Sequence, residues 1–241
     1  MPRSRSAGRV APTPARARRL LNALEKLHPE ADCALHFANA YQLLVATILS
    51  AQCTDERVNQ VTPALFRRYP SPRALARADP AQLEEAIRST GFFRSKARSL
   101  LGCAAALVER HRGRVPGNLD ELVKLPGVGR KTANVVLGHA FDTPAEGIAV
   151  DTHVLRVANR LGIAGSGDAG EMERSLMALV PRERWTRTTD LLIFHGRKVC
   201  HARRPDCGNC GVIDLCAWEE RAAAARTPPR RGKASRPGSK R

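Results

Sequence analysis

The apolar positions of this chain recur at helical spacing, with no sustained strand-like alternation. Residues 20–28 form a short amphipathic stretch that ends before Pro29. Residues 41–51, YQLLVATILSA, are apolar enough for a buried helix and give way to the polar run QCTDER. Ser71-Pro72 and Asp79-Pro80 each place a capping residue before a proline suited to the first helical position. Gln82 stands at the capping-box position relative to Asp79. Residues 93–111 carry another apolar face, stopped by Gly113, while Asn118 with Glu121 and Asp168 with Glu171 open two later helices. No heptad pattern persists, which argues against a coiled coil. The expected fold is all-α, with two helical lobes and a cleft between them. A boundary is expected near 142–148, where DTPAEG breaks the helical pattern.

Composition sharpens this picture. At 241 residues and 43% hydrophobic, the chain can bury one large core or two small ones, and 4% aromatic content argues against sandwiches and barrels. No run of 18 apolar residues exists and no apolar stretch follows the basic start, so neither a membrane span nor a secretory leader is expected. The formal charge is +17, of which residues 1–19 and 221–241 hold 14. Both segments lack acids and read as disordered basic tails, which suits a polyanionic partner better than an acidic small substrate. Of seven cysteines, Cys33, Cys53 and Cys103 are scattered and read as small buried hydrophobes. Cys200, Cys207, Cys210 and Cys216 crowd into 17 residues as C-x6-C-x2-C-x5-C. An odd total without a leader argues against a disulfide framework, so these four read as thiolate ligands, for zinc or for a [4Fe–4S] cluster.

The most informative segment is 125–136, LPGVGRKTANVV. A short helix ends at Leu125-Pro126, the chain turns through Gly127, Val128 and Gly129, and a new helix starts near Arg130. Both glycines permit positive φ and close approach of another backbone. The free N–H groups of such a turn form an anion site that holds a nucleic-acid backbone without reading its sequence. A P-loop would need Gly where Arg130 stands, and a dinucleotide fingerprint would need a preceding strand and a third Gly where Thr132 stands. Lys131, on the first turn of the new helix, is either a phosphate-contacting surface lysine or a nucleophile. The second role requires a neutral amine, against a free-lysine pKa of about 10.4; desolvation, the helix's positive end and Arg130 favour it, and bound phosphate opposes it. Asp151, ahead of THVLRVANR, reads as a helix N-cap or as a carboxylate aimed across the cleft. His139, His153 and His195 lack metal-ligand spacing and read as structural.

LPGVGRKTANVVL, then VDTHVLRVANR, then HGRKVC with the four spaced cysteines resembles the endonuclease III family of the helix-hairpin-helix DNA glycosylase superfamily. The resemblance covers residues 20–218. It implies a bifunctional glycosylase and apurinic/apyrimidinic lyase acting on double-stranded DNA with oxidised pyrimidines or abasic sites. Lys131 would attack C1′ to form a Schiff base, with β-elimination on the 3′ side, and Asp151 would be the catalytic carboxylate. The implied architecture is a six-helix barrel at 33–143, with its hairpin at 119–138, and a cluster domain formed by 20–32 and 144–220. Cys200, Cys207, Cys210 and Cys216 would hold a [4Fe–4S] cluster whose first loop, HARRPD, presents Arg203 and Arg204 to phosphates. Gly127, Val128, Gly129 and Arg130 would contact the DNA backbone. Gln52, in LSAQCTD, would fill the gap left by an extruded nucleotide, and Phe92, in STGFFRSKA, would be an apolar wedge. One of Phe92 and Phe93 is expected in the core.

Two departures stand out: AFDTPAEGIAVD is about two residues longer than the usual connection, and Asp206 stands where members can carry a basic residue. A monofunctional adenine-glycosylase relative would lack Lys131 and carry a large C-terminal domain. A non-catalytic DNA-binding protein with a structural four-cysteine metal site would not need Lys131 together with Asp151. A monomer in the bacterial cytoplasm, at the nucleoid, is expected, in preference to a mitochondrial protein.

Overall fold

A computed structural model describes residues 11–141 and 145–226. The outer parts of both basic segments (1–10 and 227–241) and the start of the expected boundary (142–144) lie outside them. The first helix, α1 (Pro14–Leu27), begins inside the stretch read as a tail. Thr13 caps it by accepting from the Arg16 amide, Pro14 occupies its first turn, and Ala17, Leu20, Leu21 and Leu24 bury one face. The arginine-rich composition concealed the start of this helix at 14–19, while the rest falls in the expected amphipathic stretch. Arg16 donates to the carbonyls of Leu161, Gly162 and Leu215, so its guanidinium is engaged within the protein. At the other end, α12 (Arg221–Ala225) likewise corrects a disordered reading, and Arg221 donates to the Trp218 carbonyl at 2.7 Å.

The helices between them are α2 (Ala40–Leu49), α3 (Asp55–Arg68), α4 (Pro72–Ala76), α5 (Pro80–Ile87), α6 (Phe93–His111), α7 (Leu119–Leu122), α8 (Arg130–Ala140), α9 (Thr152–Leu161), α10 (Ala169–Leu179) and α11 (Trp185–Lys198). Asn39, Thr54, Ser71, Asp79, Asn118, Asp151 and Asp168 each accept an amide hydrogen bond at a helix start. The expected capping box at α5 does not close: the Gln82 side chain accepts from Arg68 instead of returning to Asp79. At its C-terminus α6 ends through left-handed Arg112 and Gly113.

Two apolar cores form. One gathers residues of α2 through α8, with α2 buried along nearly its whole length; the other joins α1 to α9, α10 and α11. Fully burying a Leu or Val stabilises by roughly 1.5–3 kcal/mol, so the four apolar positions of α1 fasten the chain's start to a core built mainly from its second half. Arg187 of α11 pairs with Glu25 and donates to backbone carbonyls of His28, Pro29 and Ala31, fixing the crossing from α1 toward the other core. His139 at the end of α8 meets Asp190 of α11 at 3.0 Å, linking the two cores. Among the described residues, no helix is long and apolar enough to cross a membrane.

Candidate active site and cysteine centre

The turn between α7 and α8 is tight because Gly127 lies at φ +79°, where its missing Cβ would stand 2.6 Å from Ser99 Cβ of α6. Gly129 differs from expectation. Its φ is −91°, and a Cβ there would meet nothing within 4 Å, so it faces open space. Val128 is also corrected: its side chain is buried in the first core and its amide closes the turn on the Leu125 carbonyl, so neither group is available to a ligand. The available donors lie one step on. With Gly129 as N-cap and no side-chain acceptor, the amides that open α8 have no intrahelical partner and point to the helix's positive end.

Lys131, on that first turn, places Nζ 3.9 Å from Asp151 Oδ2. Both readings of Asp151 hold at once. Oδ1 accepts from the His153 and Val154 amides at 2.8 and 2.9 Å, capping α9, which leaves Oδ2 turned toward the lysine. The Asp151 side chain is 15% exposed and that of Lys131 49%, so the amine is accessible while the carboxylate is held. A separate cleft is lined by Cys53, Asp55, Glu56, Asn59, His153 and Arg197, and neither Lys131 nor Asp151 is among its lining residues. Arg130 does not stand free as expected. Its Nε donates to Glu173 Oε2 at 2.7 Å, and that bond raises its pKa. Glu173 had no signal in the sequence beyond its place on the inner face of α10.

Gln52 and Phe92 both occupy left-handed backbone, at φ 52° and 47°, where non-glycine residues are uncommon and strain gathers at functional sites. Both are exposed, Phe92 by 67%, while Phe93 packs partly buried against the first core. Lys96 supports this turn: 5% exposed, it donates from Nζ to the Thr90 carbonyl at 2.8 Å, and burial lowers its pKa.

Cys200, Cys207, Cys210 and Cys216 line one hollow, together with Arg160, His195 and Trp218. Burial pushes the Cys210 thiol up to about 11 and also raises Cys207 and Cys216, so a cation that replaces the protons would be needed to hold thiolates there. Among the described residues, the set of three or more His, Cys, Asp or Glu donors within 4.8 Å of one another is Asp32, His139 and Asp190. The four sulfurs are thus not drawn together at the roughly 3.8 Å spacing of tetrahedral zinc with 2.3 Å bonds. Four thiol donors are also the ligand set of an iron–sulfur cluster. Arg160 frames the centre by donating to the His201 and Ala202 carbonyls and stacking 4.5 Å from the Trp218 ring. Arg203 and Arg204 are exposed on the first loop, and Asp206 is occupied in accepting from Asn209 at 2.9 and 3.0 Å.

A helical hairpin with open amides, a lysine facing a capping carboxylate and a four-cysteine hollow thus stand together in one chain of the helix-hairpin-helix type. Residues 45–182 match the HhH-GPD superfamily of base excision DNA repair proteins, and residues 200–216 match the iron-sulfur binding domain of endonuclease III. Endonuclease III of Synechocystis sp. is 54% identical over 201 residues, spanning 83% of this chain and 91% of the relative. A solved non-covalent endonuclease III–DNA complex superposes with a TM-score of 0.82 at 45% identity, covering 89% of this chain and 99% of the other. A trapped endonuclease III–DNA covalent intermediate gives the same TM-score and coverages at 44% identity. The chain belongs to the endonuclease III family.

Proposed function

We propose that this protein is a bifunctional DNA glycosylase and apurinic/apyrimidinic lyase that removes oxidised pyrimidines from duplex DNA. The observation that carries the reading is the approach of Lys131 Nζ to Asp151 Oδ2 beside a phosphate-accepting hairpin. Lys131 attacks C1′ of the damaged nucleotide, the base leaves, and a Schiff base joins enzyme and sugar; β-elimination then breaks the strand on the 3′ side. Asp151 stabilises the positive charge that develops at the sugar and assists proton transfer. Its doubly bonded Oδ1 keeps Oδ2 aimed without reorganisation. The amides opening α8 and the open face of Gly129 receive the DNA backbone. Gln52 and Phe92 occupy and prise apart the stack from which the nucleotide is extruded, offsetting the few kcal/mol that flipping costs.

Cys200, Cys207, Cys210 and Cys216 would hold a [4Fe–4S] cluster. Bound there, it would supply an architectural anchor for the 200–216 loop, which presents Arg203 and Arg204 to phosphate. The two apolar cores support a division into a barrel domain at 33–143 and a cluster domain from 20–32 with 144–220, the latter extended at its start to Pro14. The DNA substrate and the bacterial relatives support a place at the nucleoid in bacterial cytoplasm.

Borohydride reduction on a duplex with one oxidised pyrimidine tests the chemistry. The wild-type protein should give a covalent complex. Lys131→Gln should give none while binding the same duplex within about threefold of wild type, since it removes one exposed cation among several. Undiminished trapping by that variant would reject Lys131 as the nucleophile.

A further inference from the structure

Lys131 and Asp151 sit on different sides of the molecule's two-core division, so their separation depends on what ties α8 to the α9–α10 side. The polar tie next to Lys131 is Glu173. This carboxylate, on α10 and 5% exposed, accepts from Arg130 Nε at 2.7 Å through one oxygen and from Asn134 Nδ2 at 2.8 Å through the other. Arg130 precedes Lys131 and Asn134 follows it by three residues, so one carboxylate grips α8 on both sides of the nucleophile. Gly147 makes the room: a Cβ there would overlap Glu173 Oε1 and stand 2.5 Å from Asn134 Nδ2. Burying a carboxylate is costly unless it is paired and hydrogen-bonded, and breaking such a pair leaves a charge stranded. The bond to Asn134 is buried, and the bond to Arg130 is buried on the carboxylate side alone.

We propose that Glu173 is a positioning residue for the lyase chemistry: by clamping Arg130 and Asn134 it fixes the first turn of α8 against the opposite side and sets the reach of Lys131 toward the sugar and Asp151. The proposal rests on Lys131 being the nucleophile. Misplacement of a reacting group by about 1 Å can cost up to ~100-fold in rate, whereas DNA affinity draws on many phosphate contacts and changes little when one helix turn loosens. Loss of the clamp therefore separates chemistry from binding.

The test measures single-turnover borohydride trapping at saturating enzyme, with equilibrium binding to a duplex carrying a stable abasic-site analogue. Glu173→Ala and Arg130→Ala should each slow trapping by about tenfold. The double variant should be no slower than either within about threefold, because both substitutions cut one tie. Binding by Glu173→Ala should stay within about threefold of wild type. Glu173→Gln keeps an acceptor for Arg130, and its amide can donate to Asn134 Oδ1, which has no partner among the described residues. It should keep at least roughly a third of the wild-type rate. Arg130, whose side chain is 53% exposed, carries the test if alanine at 173 does not fold. Losses that multiply in the double variant, or trapping by folded Glu173→Ala at the wild-type rate, would overturn the clamp. Wild-type protein that cannot be trapped would overturn the nucleophile as well; trapping indifferent to Glu173 would overturn the clamp alone.

Discussion

Alanine at Gly127 should destabilise the whole protein, whereas alanine two residues later should leave stability alone and weaken DNA binding. At Gly127 the backbone is left-handed, at φ +79°, which costs a non-glycine residue roughly 1–2 kcal/mol. The new Cβ would also lie 2.6 Å from Ser99 Cβ and 2.9 Å from its Oγ, so the hairpin must lift from α6. Overpacking of this kind adds roughly 1–3 kcal/mol. Together that is about 2–5 kcal/mol, or a fall of about 5–15 °C in Tm for a domain of this size. Gly129 has an ordinary extended backbone, φ −91° and ψ 173°, and open space where a Cβ would go. Alanine is a poorer N-cap than glycine but loses less chain entropy on folding, so the net change should stay within about 1 kcal/mol. A methyl group on the face that receives phosphate should weaken binding by about tenfold, or 1.4 kcal/mol. Thermal unfolding and fluorescence anisotropy on an undamaged duplex read the two quantities separately. The reasoning is refuted if Gly127→Ala keeps the wild-type Tm, or if Gly129→Ala loses stability and affinity together.

The remaining predictions address the cysteines, the interlobe histidine and the charged ends. Purified protein should contain about four iron atoms per chain, and Cys207→Ser should lower both iron and folded yield far more than Cys103→Ser; one zinc and no iron would defeat the cluster reading. Burial alone would depress the His139 pKa, but the bond to Asp190 and that to the Val135 carbonyl outweigh it and leave the value raised. The stability so gained is present in full below about pH 6.5 and is lost as pH rises through the raised folded value. The Tm difference between wild type and Asp190→Asn should therefore be larger at low than at high pH, and a constant difference would contradict the pairing. Deleting residues 1–10 and 227–241, which spares α1 and α12, should lower the magnitude of the log–log salt slope for undamaged duplex by about 0.9 per cation that had touched phosphate. Single-turnover cleavage should be unchanged, and an unaltered slope would make these segments bystanders.

Periodicity and capping residues were sufficient for the helical class and most element starts, because both are local properties of a few consecutive residues. Thr13-Pro14 carried the same capping signal as Ser71-Pro72, yet the arginines around it suggested a solvated tail; the carbonyls that hold Arg16 lie in segments far along the chain. Gln82 had the right spacing for a capping box, and Arg68 of a neighbouring helix took it instead. At the site, motif order sufficed to nominate Lys131, Asp151 and the four cysteines. What the tertiary structure alone decided was the division of labour among neighbours: Val128 buried, Gly129 open, Phe92 exposed with Phe93 packed inward, and Arg130 bound to a glutamate 43 residues away. Spacing along the chain determines which residues share a helix. Which of them meets solvent, a carboxylate or another helix depends on how separate helices pack, and no local pattern encodes that meeting.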